Sequence, residues 1–169
     1  MRVVFIVGPF RGETAWEVEQ RVRVAEEAAL EVWRAGGMAF CPHTNTRFFH
    51  RAAGIPDEAF LMGYLEALTR CDAVYLLPGW EESEGAKAEE ELARALHLPV
   101  LRSQVSMRAY LAQPEEPGLE MAFGARPEAL MRFLEHKKAQ ADDRAAAKAA
   151  GGSRPKGRRV GDFPTQGRS

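Results

Sequence analysis

The chain has 169 residues, of which 46% are hydrophobic and 28% charged, and its formal net charge is −1. This composition is typical of a globular domain with a hydrophobic core, and it argues against a chain that is disordered throughout. No apolar run approaches the roughly 18 residues that a membrane-spanning helix needs, so an integral membrane protein is not expected.

Three further features of the sequence bear on location and metal binding. The N-terminal stretch MRVVFIVGPF leads straight into a strand-like segment and lacks the three-part pattern of a signal peptide. The cysteines, Cys41 and Cys71, form neither a disulfide framework nor a zinc motif. The four histidines show no metal-binding spacing. We therefore expect a cytoplasmic protein without a metal site.

Charge divides the chain into two parts. Residues 136–169 contain nine Lys/Arg and three Asp/Glu, whereas the rest contains 14 Lys/Arg and 21 Asp/Glu. Beyond about residue 140 the sequence loses apolar periodicity and becomes rich in Gly, Pro and Arg, which predicts frayed helix and then disorder. We expect one domain over residues 1–140 and a basic tail over residues 141–169.

Strand and helix patterns alternate along the domain. Residues 2–8, RVVFIVG, form a continuous β-branched and aromatic run that predicts a strand buried on both faces. Apolar residues then recur at helical spacing from Ala15 to Val32, after a capping-box pattern at Thr14 and Glu17. Further strands are predicted at 38–41, 72–77 and 99–102, an irregular loop at 43–55, and helices at 56–70, with Asp57 as N-cap, at 85–98 and at 127–139.

Each crossover between the predicted strands is long enough to join parallel neighbours. The expected fold is therefore α/β, a doubly wound parallel sheet of four to five strands with flanking helices, of the flavodoxin/Rossmann-like type. Ligands bind such sheets beyond the carboxyl ends of the strands. Three strands end there in loops with Gly, Pro and polar residues, GPFRG (8–12), PHTNT (42–46) and PGWEESEGA (78–86).

The first two loops supply candidate binding groups. Gly8 permits close backbone approach, and Arg11 offers a planar donor fork for phosphate or carboxylate, although a plain turn with a surface arginine is the structural alternative. His43 and Asn45 are suited to hydrogen-bond a sugar or base, although a histidine after a strand is often only a loop brace. The spacing is neither a dinucleotide fingerprint nor a Walker loop, and no GxSxG motif is present.

The third loop opens a helix at Gly85 and Ala86, where small residues let a ligand approach the helix N-terminus. Trp80 either forms a wall of the site or stacks on a flat ring, or it packs as an ordinary loop residue. Glu89 lies one turn into the helix and is expected to face the strand ends. Helical rotation predicts that Glu90 and Glu91 point to solvent.

These segments resemble the nucleoside 2-deoxyribosyltransferase-like superfamily, and most closely its short phage and bacterial branch of largely unknown function. The matching motifs, over roughly residues 3–101, are GPFRG, CPHTNT, LEALTRCDAV and LPGWEESEGAKAEEELA. The superfamily also includes 2'-deoxynucleoside 5'-phosphate N-hydrolases. The resemblance implies no metal ion or organic cofactor, a small nucleoside or nucleotide as substrate, and a dimer or higher homo-oligomer.

The resemblance assigns Glu89 as a nucleophile that attacks C1' of the deoxyribosyl group and expels the base. Water or another base then resolves the covalent glycosyl-enzyme, as in retaining glycoside hydrolysis. Ser83 would help to bind phosphate, and the first-strand loop would contact the sugar-phosphate or base. The substrate-binding candidates are Gly8, Pro9, Phe10, Arg11, His43, Asn45, Gly79, Trp80, Ser83, Gly85 and Ala86.

One residue departs from the family pattern. Relatives carry an aspartate in a GDLE motif that orients or protonates the leaving base, whereas this chain has GYLE with Tyr64. A phenol, with a pKa of about 10, is a weaker acid than a carboxyl group. Either Tyr64 donates to the base, or Asp57 or His43 takes over, or chemistry is lost; Tyr64 also fits the apolar face of its helix.

Three functions remain open from the sequence. The first is an N-glycosidase or deoxyribosyltransferase that uses Glu89 and Tyr64. The alternative is a non-catalytic nucleotide-binding or sensor module, which the tyrosine favours. The third is association with nucleic acid through the basic tail alone, with binding that falls steeply as salt rises.

Overall fold

A computed structural model describes residues 1–49, 54–114 and 125–150. The chain divides into two compact units, residues 1–134 and residues 135–169. The strands are β1 (Val3–Val7), β2 (Met38–Phe40), β3 (Ala73–Leu76) and β4 (Val100–Leu101). The helices are α1 (Ala15–Arg34), α2 (Pro42–Asn45), α3 (Asp57–Leu68), α4 (Glu84–Ala95), α5 (Gln104–Leu111) and α6 (Ala125–Ala150), with a 3₁₀ turn at Trp80–Glu82.

The four strands form one parallel sheet in the order β2-β1-β3-β4. Val3 of β1 pairs with Met38 of β2, and Val4 pairs with Ala73 of β3. The order reverses direction between β1 and β3, which is the topological switch point of a doubly wound sheet. The predicted parallel α/β fold is confirmed.

The residues of β1 alternate between two hydrophobic cores. Val4 and Ile6 pack with side chains of α1 and α5 on one face of the sheet, whereas Phe5 and Val7 pack with side chains of α3 and α4 on the other. All four are fully buried. Because β1 is covered on both faces, its sequence is a continuous apolar run rather than an alternation of apolar and polar residues.

The predicted capping box starts α1. Thr14 Oγ1 accepts a hydrogen bond from Glu17 N at 3.2 Å. The Glu17 carboxylate in turn accepts from Thr14 N at 3.4 Å and from Glu13 N at 2.7 Å. These bonds satisfy backbone donors that a helix start leaves unpaired, and they fix where the loop after β1 passes into α1.

The aspartate of the LEALTRCDAV motif holds the opposite end of the sheet. Asp72 Oδ2 accepts from Val3 N at 2.7 Å, and the Asp72 carbonyl accepts from the Tyr110 hydroxyl at 3.0 Å. Both bonds lie at the amino ends of β1 and β3. Asp72 therefore joins two strands and α5, and does not lie with the carboxyl-end loops.

Several predicted boundaries differ from the structure. The segment predicted as an irregular loop begins with the helical turn α2, and Pro56 rather than Asp57 is the N-cap of α3. Helix α5 was not predicted; it starts with a capping box of Ser103 and Ser106, whose short side chains do not resemble the usual Glu or Gln at that position.

The last helix, α6, runs from Ala125 to Ala150 and therefore extends beyond the predicted end at residue 139. Phe133 is 7% exposed and belongs to the same core cluster as Phe5. In the second unit, the Gln140 and His136 side chains lie 2.8 Å apart. Residues 151–169, most of the predicted tail, lie outside the described residues. Within the described residues, no helix combines the length and the apolar character needed to cross a membrane.

Candidate ligand-binding cleft at the carboxyl edge of the sheet

Two adjoining cavities lie where the loops after β1, β2 and β3 meet. The first, of about 320 Å³ and here called the aromatic cavity, is lined by Phe10, Arg11, Gly12, Thr14, Ala15, Val18, Pro42, His43, Thr46, Phe49, Asp57, Phe60, Leu61 and Tyr64. The second, of about 450 Å³ and here called the charged cavity, is lined by Pro9, Arg11, Arg21, Asp57, Glu58, Leu61, Glu82, Ser83, Glu84 and Gly85. Together they form a cleft at the predicted edge of the sheet.

Three residues line both cavities: Arg11, Asp57 and Leu61. Arg11 Nη2 and Asp57 Oδ2 form an ion pair at 2.8 Å, and the two side chains are 77% and 56% exposed. The charged cavity lies between residues that follow β1 and β3, the switch point where doubly wound sheets bind ligands. The ion pair therefore stands between the two parts of the cleft.

His43 braces the loop after β1. Its ring is 4% exposed, and Nε2 lies 3.3 Å from the Pro9 carbonyl oxygen. A carbonyl can only accept, so Nε2 carries the proton, while Nδ1 has no hydrogen-bonding partner among the described residues. Burial lowers the pKa of His43 below its ordinary value. A neutral, buried ring in this position holds the loop, and its edge packs against Phe10 with ring centroids 5.9 Å apart.

Tyr64 fastens the segment after β2 to α3. Its hydroxyl group donates to Thr46 Oγ1 at 2.9 Å and lies 3.4 Å from the Pro42 carbonyl oxygen. Asn45 Nδ2 donates to the same hydroxyl at 3.4 Å. The Tyr64 ring meets Phe40 edge to face, with centroids 6.3 Å apart. Tyr64 thus lines the aromatic cavity with its ring and bonds the loop with its hydroxyl.

Helix α1 fastens the same segment from the other side. Arg47 pairs with Glu19 and, at 3.1 Å, with Glu26 of α1. Because Tyr64 and Arg47 fix neighbouring positions, they set where Phe49 stands against Phe60, at 6.4 Å between ring centroids. This aromatic pair lines the cavity and was not predicted; the FF dipeptide at 48–49 was its signal in the sequence.

Two of the predicted glycines have structural roles. A Cβ atom on Gly8 would lie 2.9 Å from Leu77 Cδ1, so the glycine permits the loop after β1 to pack on the end of β3. Gly79 adopts φ 79°, in the left-handed region that favours glycine, and starts the 3₁₀ turn. Trp80 in that turn packs against the core, with the Arg102 guanidinium 5.4 Å from its ring centroid.

Ser83 is the N-cap of α4. Its Oγ accepts from Ala86 N at 3.3 Å, and Ala86 is buried. Ser83 and Gly85 line the charged cavity at the N-terminal end of α4. A Cβ atom on Gly85 would lie 3.9 Å from Leu61 Cδ1, which brings this face of α4 against a residue that lines both cavities.

Glu89 follows one turn after Gly85, on the same face of α4. Glu89 is 7% exposed, and within the described residues its carboxyl group makes no hydrogen bond or ion pair. Burial raises the pKa of Glu89 to about 8. Glu89 lines neither of the two cavities, whereas Gly85, one turn earlier on this face, lines the charged cavity.

The prediction that Glu90 points to solvent is wrong. Glu90 is also 7% exposed, and its Oε1 accepts from Arg94 Nε at 2.7 Å and from Arg102 Nη2 at 3.0 Å. Arg102 follows β4 and is distant in the sequence, so the helical pattern alone did not reveal it. Glu91 is exposed, as predicted.

The structure thus brings together part of the predicted site. Phe10, Arg11, His43 and Tyr64 line the aromatic cavity, and Pro9, Arg11, Ser83 and Gly85 line the charged cavity. Six predicted residues line neither: Gly8, Asn45, Gly79, Trp80, Ala86 and Glu89. Within the described residues, no group of three or more His, Cys, Asp or Glu side chains is arranged to hold a metal ion.

The segment that contains this cleft matches a known protein family. Residues 2–102 match a domain of unknown function, DUF4406. The chain belongs to the DUF4406 family. The DUF4406 segment contains all four strands, and every residue that lines the two cavities falls within it. No curated protein matches the chain.

Proposed function

We propose that this DUF4406 protein cleaves or transfers the N-glycosidic bond of a (deoxy)nucleoside or (deoxy)nucleotide, through a covalent glycosyl intermediate on Glu89. The observation that carries the proposal is a buried carboxyl group without a described partner, one helical turn after Gly85, which lines the cleft. Burying such a group costs stability, and ionisable groups with strongly shifted pKa values cluster at functional sites. Glu89 is buried, and its pKa is strongly raised.

The aromatic cavity suits a flat heterocyclic base. Phe10, Phe49, Phe60 and Tyr64 all line it, and aromatic side chains bind planar rings by stacking or edge contacts. Its volume of about 320 Å³ lies at the lower end of the range for small-molecule sites. The adjoining charged cavity offers Arg11 and Ser83 to the sugar or its substituents.

The proposed reaction has two displacements at one carbon atom. The ionised Glu89 carboxylate attacks C1' as the bond between C1' and the base nitrogen breaks, and the base leaves with the bonding electrons and takes up a proton. Water or a second base then attacks C1' and releases the carboxylate. Tyr64 lines the aromatic cavity and is the candidate to donate to the leaving base, once its hydroxyl gives up Thr46. Asp57 also lines this cavity, but as the carboxylate partner of Arg11 it can only accept a hydrogen bond.

The proposal requires a side-chain movement. Glu89 lines neither cavity, so its side chain must change rotamer to reach the substrate. Rotamer changes of this kind are common at binding sites whose backbone stays fixed. With a pKa of about 8, roughly one tenth of Glu89 is ionised at pH 7. The proposal therefore predicts that kcat/KM rises as pH approaches 8.

A non-catalytic nucleotide-binding or sensor module is the second candidate. It is favoured by the Tyr64 hydroxyl, which bonds Thr46, and by Glu89, which does not reach the cavities. In that case the cleft binds nucleosides or nucleotides and leaves the glycosidic bond intact.

The test is incubation with a panel of 2'-deoxynucleosides and their 5'-monophosphates, with free base measured by chromatography. Glu91→Gln is the matched control for Glu89→Gln, because Glu91 lies on the same helix and is exposed. The proposal predicts base release by the parent and by Glu91→Gln, and none by Glu89→Gln. Binding without release in all three proteins would favour the sensor module.

A further inference from the structure

We infer that Asp57 is a specificity-determining residue that competes with phosphate for Arg11 and so weakens the binding of phosphorylated ligands in the cleft. The inference rests on the proposed function for the kind of ligand. According to this inference, Asp57 sets the affinity of the cleft for a nucleoside relative to its affinity for the 5'-phosphate of that nucleoside.

The position of the ion pair carries the inference. Arg11 comes from the loop after β1, and Asp57 is the first residue of α3. The two side chains meet at 2.8 Å, and both line both cavities. A ligand that occupies either part of the cleft therefore meets this pair.

A phosphate group can replace Asp57 as the partner of Arg11. Both side chains are more than half exposed, and exposed ion pairs contribute little to stability. A phosphate group offers a guanidinium two oxygen acceptors in a matching plane and more negative charge than a carboxylate. A phosphorylated ligand can therefore take Arg11 from Asp57.

Displacement does not remove Asp57 from the cleft. Its carboxylate stays at the wall of the same cavities and repels the phosphate that replaced it. Three other acidic residues line the charged cavity, Glu58, Glu82 and Glu84, and Glu84 pairs with Lys87 at 2.8 Å. Asp57 differs from all three because it holds the Arg11 side chain. Asp57 thus acts against an anionic ligand twice, by occupying Arg11 and by repulsion, and has neither effect on an uncharged nucleoside.

The test measures binding of inorganic phosphate, 2'-deoxyadenosine and 2'-deoxyadenosine 5'-monophosphate by calorimetry. All variants carry Glu89→Gln in addition, so that no base is released during the measurement. Asp57→Asn should tighten the Kd of phosphate and of the monophosphate by about three- to tenfold at low ionic strength, and by less at high salt. The Kd of the nucleoside should stay within about twofold. Asp57→Glu keeps the charge and should not tighten binding of either anion.

Two further variants test whether the effect of Asp57→Asn depends on Arg11 and whether it is specific to position 57. In an Arg11→Gln background, Asp57→Asn should lose the part of its gain that comes from competition for Arg11 and keep only the part that comes from repulsion, so its gain should be clearly smaller. Glu66→Gln is the matched control, since Glu66 lies on the same helix, pairs with Arg70 at 2.6 Å and lines neither cavity. It should leave all three Kd values unchanged. Thermal unfolding confirms that each variant is folded.

Several results would overturn the inference. They are no tightening in Asp57→Asn, an equal gain in the Arg11→Gln background, an equal gain in Glu66→Gln, or no measurable phosphate binding by any variant. The proposed function fails separately, by the absence of base release. A protein that binds as expected and releases no base would contradict the chemistry and support the role of Asp57.

Discussion

Glu89 and Glu90 are consecutive residues of α4, both 7% exposed, yet only Glu90 has a cationic partner in the described part of the chain. Arg94 and Arg102 compensate the buried charge of Glu90. Burial without compensation raises the pKa of Glu89 to about 8. The same turn of α4 therefore holds two buried acidic residues with opposite effects. Paired Glu90 stabilises the fold, whereas burial of the unpaired Glu89 carboxyl group destabilises it.

The first prediction concerns pH and Glu89. Its folded-state pKa of about 8 lies above the ordinary value of 4.5, so the folded protein binds more protons than the unfolded chain between these values. The contribution of Glu89 to stability is therefore full below pH 4.5 and falls progressively as pH rises towards 8. Glu89→Gln should gain stability over the parent at pH 8, on the order of a few kcal/mol, and show little gain at pH 4.5.

Urea unfolding at several pH values measures this difference. Glu91→Gln is the control and should follow the parent across the range. If the difference between Glu89→Gln and the parent did not change with pH, the shifted pKa of Glu89 would be refuted.

The second prediction concerns Glu90. Glu90→Gln removes the charge that both arginines share, and should cost about 1–2 kcal/mol, because both arginine side chains are about half exposed or more and can be solvated. Glu91→Gln should stay within about 0.5 kcal/mol of the parent. Urea midpoints give both values, and equal stability of the two variants would contradict the buried ion pair.

The third prediction concerns the hydroxyl group of Tyr64. Tyr64→Phe should cost about 1 kcal/mol through loss of the bond to Thr46 Oγ1. Thr46→Val should cost a similar amount, and the double variant should cost clearly less than the two single costs combined, because both single changes break the same bond. Additive costs would show that the two groups act independently, and would leave the hydroxyl free for the leaving base.

The fourth prediction concerns His43. Burial lowers its folded-state pKa below 6.5, so the unfolded chain binds more protons between the two values. The stability contributed by a neutral His43 is therefore lost as pH falls through that window. His43→Gln retains a side-chain N–H for the Pro9 carbonyl, and should lose less stability than the parent between pH 7.5 and pH 5.5. A steeper loss in the variant would show that His43 is charged in the fold.

Local patterns predicted the fold well. The Thr14–Glu17 box and the apolar run of β1 each depend on neighbours close in the sequence, and each appears as predicted. Ser83 was predicted only as a phosphate ligand, although a serine three residues before a helical N–H is also an N-cap. Its Oγ both caps α4 and lies at the charged cavity.

The site was harder to predict, because it depends on contacts between distant segments. One of the two partners of Glu90 is Arg102, which follows the next strand, and the Tyr64 hydroxyl on α3 donates to Thr46 in the segment after β2. Spacing along one helix places a side chain on a face but does not show what covers that face. For the same reason, helical rotation predicted that Glu89 points inward but did not reveal that its side chain lines neither cavity.

Covalent labelling identifies the nucleophile and so decides whether Glu89 attacks C1'. The protein is incubated with a 2-fluoro-substituted deoxynucleoside, which slows the second displacement, and the labelled peptide is located by mass spectrometry. We predict one sugar adduct per chain, on Glu89, and no adduct in Glu89→Gln. An adduct on Glu90, on Glu91 or outside α4, or base release by Glu89→Gln at the rate of the parent, would contradict the assignment of Glu89 as nucleophile.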